Sequence, residues 1–309
     1  MGDETGQSRR GLLKCMAWAG GGVVWTVVGG VPRSGLIGSA QAADGFSFVQ
    51  LSDSHIGFSR DPNTDVPATL QEGVNAIKAL GGKPALLIHT GDVSHLSKPA
   101  QFDTAAQIIG GAGLEGHYVP GEHDVLEDEG AGFIARFQKD VRQGKPGGGF
   151  YSFDQEGVHF IGLNNVVDLQ AGGMGNLGEA QLAWLAGDLD GRSASQPIVV
   201  FAHIPLWTIA PEWGWGTADS TRALGLLKRF GSVTVLNGHI HQVMQKVEGN
   251  VAFHTARSTA FPQPAPGTAK SPGPMHVEPG QLRSVLGVTN VAYVPGTAHL
   301  AIVDTTLAA

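Results

Sequence analysis

The stretch "FSFVQLSDSH" (Phe46–His55) sets the pattern for this chain of 309 residues. Its first six residues, Phe46–Leu51, are mostly apolar or aromatic and predict a buried strand. An acid and an imidazole, Asp53 and His55, follow almost directly after it. Ionisable side chains beside a buried strand are costly unless they are paired or bind something, so the end of this strand is a candidate functional position.

Four later apolar runs end in the same way. They are ALLIH (Ala85–His89), HYVP (His117–Pro120), PIVVFAH (Pro197–His203) and VTVL (Val233–Leu236), and they lead to Asp92, to Glu122–Asp124, to His203, and to His239 and His241, respectively. The functional crevice of an open α/β sheet lies at the carboxyl ends of its strands. We therefore expect these five strand ends to meet at one place.

The segments between these strands predict the layering of the fold. Helices are predicted at residues 70–80, 99–109, 126–140, 182–189 and 219–230. Further strands are predicted around the turn Gln155–Gly157, in a hairpin around Glu248–Asn250, and within residues 287–304, after a Pro- and Gly-rich loop at 262–280. Helices that alternate with strands, followed by a strand-rich part from about residue 246, favour α/β layering with a mixed sheet or two packed sheets.

The strand ends offer oxygen and nitrogen donors and no sulfur. The candidate ligands are Asp53, His55, Asp92, Glu122, His203, His239 and His241. Seven donors exceed the need of one tetrahedral or octahedral ion, and they suit two cations bridged by a carboxylate. Two cations about 3.5–4 Å apart polarise a phosphoryl oxygen and activate a bound water. Residues i and i+2 of an extended chain project the same way, so Asp53 with His55, and His239 with His241, are expected to face one site.

Five short motifs that contain these positions resemble the sequence blocks of a known family. DSH (Asp53–His55), GD (Gly91–Asp92), GEHD (Gly121–Asp124), AHIP (Ala202–Pro205) and GHIH (Gly238–His241) resemble, in the same order, the five blocks of the calcineurin-like metallophosphoesterases. The resemblance covers roughly residues 46–245. It implies a four-layer αββα sandwich, in which helices flank two mixed β-sheets, with a dinuclear metal centre that hydrolyses phosphate esters.

The resemblance also implies a role for each position. Asp53, His55 and His241 would hold the first metal, Asp92 would bridge, and His203 and His239 would hold the second. His123 would contact the phosphoryl group, either donating a proton to the leaving oxygen or stabilising transition-state charge. Asp124 would orient His123 as a carboxylate–histidine pair. The implied metals are iron, manganese or zinc, and the implied substrate is a small phosphate ester, either a monoester or a diester.

Glu122 departs from the family pattern, which usually has Asn at this position. A glutamate can still bind the second metal, but its charge repels a phosphate dianion and offsets part of the charge of the metals. Glu122 is therefore expected to favour a higher-charged ion such as ferric iron, or to favour a diester over a monoester.

The loop after His203 contains three tryptophans, Trp207, Trp213 and Trp215. They predict either a wall over the metals that contacts an apolar part of the substrate, or a surface loop packed on itself. Arg257 is a candidate phosphate contact, and His254 is a candidate substrate contact. The histidines outside the five motifs are each expected to be structural more often than functional, and the two to check are His95, which follows Asp92 closely, and His254, on the strand after GHIH.

Residues 1–42 have the features of a twin-arginine export signal. The segment SRRGLLK (Ser8–Lys14) precedes a glycine-rich apolar run, Cys15–Val31, and AQA (Ala40–Ala42) offers a cleavage site of small residues. We expect the twin-arginine machinery to export the protein to the periplasm or the medium, and cleavage to leave a single domain at 43–309. The alternative is a signal retained as a membrane anchor.

Composition after cleavage excludes several classes of function. The only cysteine, Cys15, lies in the signal, so disulfides, cysteine nucleophiles and thiolate metal sites are not expected in the mature protein. The remaining 16 basic and 25 acidic residues give a net charge of −9, and such a surface does not attract nucleic acid at long range. An anionic substrate must then be drawn by local positive charge, for which bound metal is the obvious source.

Two functions from different classes remain open. The first is a phosphoesterase in which a metal-activated water attacks phosphorus. The second is an exported metal- or phosphate-binding protein on the same fold, in which Glu122 has impaired hydrolysis.

Overall fold

The computed structural model describes residues 23–28, 31–36, 45–139, 144, 148–278, 280–294 and 300–308. The chain divides into residues 1–45 and 46–309. In the first unit Val23–Val28 (β1) pairs antiparallel with Val31–Leu36 (β2). The twin arginine and the cleavage motif of the predicted signal lie outside the described residues. Among the helices that the structure describes, none is long and apolar enough to cross a membrane.

The second unit contains a five-stranded mixed sheet. Its strands are Phe46–Leu51 (β3), Leu86–His89 (β4), Glu115–Tyr118 (β5), Gly287–Tyr293 (β12) and Ala301–Thr306 (β13), in the order β13-β12-β3-β4-β5. β3, β4 and β5 run parallel, so their carboxyl ends lie at one edge of the sheet. β12 is antiparallel to both of its neighbours.

A six-stranded mixed sheet forms the other half of the sandwich. Its strands are Tyr151–Gln155 (β6), Val158–Gly162 (β7), Ile198–Ala202 (β8), Val233–Asn237 (β9), Gln245–Glu248 (β10) and Val251–Thr255 (β11), in the order β10-β11-β9-β8-β7-β6. The four central strands are parallel and fully or nearly fully buried, as parallel strands between two covering layers must be.

Helices cover the outer faces of the sheets. They are Val66–Lys78 (α1), Pro99–Gly110 (α2), Ala131–Phe137 (α3), Gly178–Leu189 (α4), Ser220–Leu227 (α5) and the short Leu282–Val285 (α6). Apolar side chains of α1–α3 pack on the five-stranded sheet, and those of α4 and α5 pack on the six-stranded sheet. A third cluster fills the space between the sheets, where Phe48 and Phe160 meet edge to face with ring centroids 5.2 Å apart. The expected four-layer αββα sandwich is confirmed.

One predicted helix is shorter than expected. The sequence indicated a helix over residues 126–140, whereas α3 begins at Ala131. Gly130 has a φ of 88°, a left-handed conformation that interrupts a right-handed helix. Residues Glu122–Asp124 form a separate 3-10 turn, and this turn leaves their side chains at the strand end instead of on the helix.

Candidate metal centre

The fold brings the loops that carry the predicted ligands together. The loops after β3, β4 and β5 come from neighbouring strands of one sheet, and those after β8 and β9 come from neighbouring strands of the other. A hydrogen bond from Gln50 Nε2 in β3 to the carbonyl of Asn237 in β9 (3.1 Å) joins the sheets close to these loops. The seven predicted ligands fall into groups whose candidate ligand atoms lie within 4.8 Å of one another.

The first group contains Asp53, His55 and His241, all buried. His241 Nε2 lies 3.3 Å from Asp53 Oδ1 and 3.2 Å from His55 Nε2. Asp53 is held in turn by the Ser52 hydroxyl (2.5 Å) and by the backbone N–H of His239 (3.1 Å). The group therefore has one carboxylate oxygen and two imidazole nitrogens facing one another.

The second group contains Glu122, His203 and His239. Glu122 spans the two imidazoles, because its Oε2 lies 2.8 Å from His203 Nε2 and its Oε1 lies 2.9 Å from His239 Nδ1. Asp92 lies between the two groups, since its Oδ2 is 3.4 Å from His55 Nε2 and 3.4 Å from His203 Nε2. Its other oxygen accepts a hydrogen bond from the backbone N–H of His123 at 2.9 Å.

The backbone at these positions is not extended, which corrects the reason given for the i, i+2 pairs. Five of the predicted ligands have left-handed φ values: Asp53 (53°), His55 (41°), Asp92 (53°), His239 (71°) and His241 (55°). A non-glycine residue in this region costs about 1–3 kcal/mol. Asp53 and His55 belong to one group, whereas His241 belongs to the first group and His239 to the second. The members of both pairs adopt the left-handed conformation, and the intervening Ile240 is buried in the protein.

Glycines allow the loops to approach closely at two of these positions. A Cβ atom at Gly238 would lie 2.6 Å from Asp53 Oδ2 and would also overlap the Ser52 hydroxyl. A Cβ atom at Gly91 would lie 2.6 Å from His203 Nδ1, and Gly91 itself has a φ of 94°. Glycine is therefore required where the loop after β9 crosses Asp53 and where the loop after β4 crosses His203.

The hydrogen bonds of the histidines decide which ring nitrogens face the carboxylates as acceptors. His203 Nδ1 donates to the carbonyl of Thr90 (2.7 Å), and His241 Nδ1 donates to the carbonyl of Phe261 (2.5 Å). A neutral imidazole has only one N–H, so in the neutral form, which is the one that binds metals, the Nε2 atom of each ring presents a lone pair. His203 Nε2 and both ring nitrogens of His239 are buried without a hydrogen-bond partner among the described residues. Nitrogen lone pairs aimed at carboxylate oxygens fit a bound cation.

The charge balance points the same way. Burial opposes ionisation of Asp53, but electrostatic attraction by His241 and His203, with the hydrogen bond from Ser52, lowers its pKa to about 2. Burial likewise opposes ionisation of Glu122, yet His239 and His203 hold its pKa well below the usual range. In the part of the chain that the structure describes, no lysine or arginine forms an ion pair with these carboxylates. The buried negative charge is left for histidines or cations to balance.

His55 is held in the form that binds metals. Burial lowers the pKa of His55 well below its ordinary value, and the charges of His123, His241 and His95 lower it further. A neutral imidazole is the form that binds a metal.

The expected pairing of Asp124 with His123 is wrong. The Asp124 carboxylate accepts hydrogen bonds from the backbone N–H groups of Val93, Ser94 and Gly121 and from the Ser94 hydroxyl, at 2.8–3.1 Å. It therefore fastens the loop after β4 to the loop after β5. His123 Nδ1 instead donates to the backbone carbonyl of His95 at 2.8 Å. Sequence reasoning could not assign this contact, because a backbone carbonyl has no residue signature.

The three tryptophans pack on buried residues or on one another. Trp215 is completely buried and packs with Ile240, the residue between the two histidines of GHIH. Trp213 meets Trp215 edge to face with ring centroids 5.1 Å apart, and Trp207 packs on Phe253 of the core. The expectation that Trp215 lines a wall facing the substrate is therefore wrong in this structure. The alternative of a loop packed on itself describes the contact of Trp213 with Trp215, whereas Trp207 packs on the core.

Two other candidate substrate contacts are occupied elsewhere. Arg257 donates a hydrogen bond to the carbonyl of Val285 (3.2 Å), and His254 is buried with its Nε2 3.0 Å from Asp304 Oδ2. Neither side chain joins the groups that could hold a cation. His95, by contrast, groups with His55 and His123, and its only sequence signal was its position three residues after Asp92.

Comparison with known proteins places the chain in a family. The model of the calcineurin-like phosphoesterases matches residues 46–243, and the chain belongs to this family. A curated relative from Rhodopseudomonas palustris, named a probable cyclic nucleotide phosphodiesterase, is 25% identical over 228 residues, which cover 69% of this chain and 78% of the relative. The chain is thus a member of a metallophosphoesterase family. Its own buried His and Asp clusters are consistent with a metal site.

Solved structures share the fold. A dimetal phosphatase from Danio rerio has a TM-score of 0.58 at 13% identity, covering 85% of this chain and 96% of that one. A purple acid phosphatase from yellow lupin (Lupinus luteus) has a TM-score of 0.61 at 12% identity, covering 85% of this chain and 52% of that one. At such identities the likeness concerns the fold alone.

The close approach at Gly238 generates a test. Gly238→Ala should lower the metal content of purified protein, because the added methyl group displaces Ser52 and Asp53. The matched control is Gly187→Ala in α4, where a Cβ atom meets nothing within 4 Å, and which should raise the free energy of unfolding by about 0.5–1 kcal/mol. Metal analysis and chemical denaturation measure both effects. Equal metal content in the two variants would contradict a role of this close approach in metal binding.

Proposed function

We propose that the protein hydrolyses phosphate esters at a centre of two metal ions. Asp53, His55 and His241 would hold one ion, Glu122, His203 and His239 would hold the other, and Asp92 would bridge them. The observation that carries this proposal is the set of imidazole nitrogens that lie 2.8–3.4 Å from carboxylate oxygens. Two groups of this kind sharing one carboxylate match the dinuclear centres of phosphatases.

When bound, the two ions supply Lewis acidity toward the phosphoryl group and lower the pKa of a bound water. The residues of the chain supply the rest. Asp92 is fixed between the groups by the N–H of His123. His123 has its Nδ1–H committed to the carbonyl of His95, which leaves Nε2 as the ring atom that can donate a proton to the leaving oxygen.

Loss of the bridging carboxylate tests the enzyme. Asp92→Asn should reduce turnover of a chromogenic phosphodiester and monoester by about 100-fold or more, equivalent to about 2.7 kcal/mol in the activation barrier, and should reduce metal content. The control is Asp103→Asn, the same change at an exposed position on α2, which should alter neither. Metal bound by the wild-type protein without turnover of either ester would instead favour the metal- or phosphate-binding protein.

Within this reaction, Glu122 is proposed to favour a phosphodiester. Asp53, Asp92 and Glu122 together carry three negative charges, so two divalent ions would leave one positive charge in the centre. A phosphodiester carries one negative charge, whereas a phosphomonoester carries nearly two at neutral pH. Asn at this position would leave two positive charges and suit the monoester. The name of the relative from Rhodopseudomonas palustris makes a cyclic nucleotide, which is a diester, the candidate substrate.

Glu122→Asn tests this charge matching. The ratio of diester to monoester turnover should fall by about tenfold or more, because removal of one nearby charge changes the interaction with a dianion more than with a monoanion. Inorganic phosphate should also inhibit the variant more strongly. Glu156→Asn, in the exposed β6–β7 turn where φ is 49°, is the control. An unchanged ratio together with unchanged metal content would refute the role given to Glu122.

Export through the twin-arginine pathway is also proposed, supported by Arg9, Arg10 and the small-residue motif at Ala40–Ala42. In a bacterial host with this pathway, the protein should be recovered outside the cytoplasm with Ala43 as its first residue. The double change Arg9→Lys and Arg10→Lys should retain full-length protein in the cytoplasm, whereas Arg33→Lys should not. Mass spectrometry of the cell fractions decides, and equal distribution of the two variants would argue against this route.

A further inference from the structure

His95 contacts two residues to which the proposed function gives different tasks. It lies on the loop after β4, half-buried, and belongs to none of the five sequence motifs. Its Nδ1 lies 3.3 Å from Nδ1 of His55, a proposed metal ligand. Its ring stacks on that of His123, the proposed proton donor, with centroids 4.8 Å apart and planes inclined by 15°.

The contact with His55 fixes the orientation of that ring. His55 Nε2 faces Asp92 Oδ2 (3.4 Å) and His241 Nε2 (3.2 Å), so Nε2 is the atom turned toward the cation site. The proton of neutral His55 then resides on Nδ1, and it is donated to His95 Nδ1. A partner that accepts the second ring N–H of a ligand histidine fixes its tautomer and strengthens its metal binding.

The contact with His123 restrains the other ring in two ways. The carbonyl of His95 accepts the His123 Nδ1–H, and the His95 imidazole covers one face of the His123 ring. Ser97 also donates to the carbonyl of His123 at 2.8 Å, so the same loop holds both the backbone and the ring of His123. Buried Phe58 meets the His95 ring edge to face at 5.4 Å and limits its rotation.

We propose that His95 is a positioning residue that holds metal-binding His55 through its ring nitrogen and proton-donating His123 through its ring face and backbone carbonyl. This inference rests on the proposed function. The two contacts use different parts of the residue, so they can be separated by substitution. Phenylalanine keeps a flat ring over His123 but cannot accept the His55 proton. Glutamine can accept that proton through its side-chain oxygen but offers no ring.

The contact of His95 with His55 is tested by metal titration, which requires no turnover. His95→Phe should weaken binding of one of the two ions, measured with Mn²⁺ or Zn²⁺ alone, by about tenfold or more. His95→Gln should bind both ions nearly as tightly as the wild type. The control is His276→Phe, at an exposed histidine paired with Asp61, which should bind as the wild type does.

The contact of His95 with His123 is tested by the dependence of turnover on the leaving group. A proton donor matters most when the leaving oxygen is basic. His95→Gln should therefore lose activity on alkyl esters by about tenfold more than on nitrophenyl esters, whereas His95→Phe, assayed at saturating metal, should keep the wild-type dependence. The carbonyl of His95 is present in every variant, so any difference reports on the ring.

Several outcomes would overturn the inference. Wild-type affinity in His95→Phe would remove the link to His55, and an unchanged leaving-group dependence in His95→Gln would remove the link to His123. Three ions per wild-type chain and two in His95→Phe would make His95 a ligand instead. Wild-type protein that binds no ion overturns the proposed function and this inference together. Normal metal binding and hydrolysis with no effect of either change overturns this inference alone.

Discussion

At the candidate metal centre, imidazole nitrogens lie close to buried carboxylate oxygens, and the rest of the structure depends on this arrangement. Backbone carbonyls accept the Nδ1–H groups of His203 and His241, so each ring in its neutral form turns a nitrogen lone pair toward carboxylate oxygen. Buried carboxylates cost several kcal/mol each unless they are paired, and no lysine or arginine of the described residues pairs with them. Burial would lower the pKa of His203, yet the charges of Asp92 and Glu122 raise it well above its ordinary value. The carboxylates therefore require positive charge nearby, which a proton on His203 supplies in part and which metal ions would supply when bound.

The rest of the fold makes that arrangement possible. Five ligand positions adopt left-handed backbone conformations, and the chain tolerates them because both sheets are anchored by packed layers on either face. Gly91 and Gly238 allow neighbouring loops to cross without a side chain between them. Trp215 packs on Ile240 in a buried cluster. Ile240 therefore faces the protein interior, whereas the two histidines on either side of it face the site.

Orientation within the site depends largely on the backbone. Carbonyls of Thr90, Phe261 and His95 accept the histidine N–H groups, and Asp124 binds backbone N–H groups of two loops. This explains why the role expected for Asp124 was wrong while its position was right. The carboxylate does organise the site, but it does so by fastening two loops together and not by holding the ring of His123.

The sequence by itself determined the alternation of strands and helices and the residue types at the strand ends, because apolar periodicity and short motifs are local properties. It predicted which loops meet, since parallel strands share a carboxyl edge. Tertiary structure alone decided that α3 begins only after Gly130 and that Trp215 is buried. It also decided that Arg257 and His254 contact residues away from the site and that His95 joins the site. These outcomes depend on backbone conformation and on contacts between residues far apart in the chain, which no local pattern records.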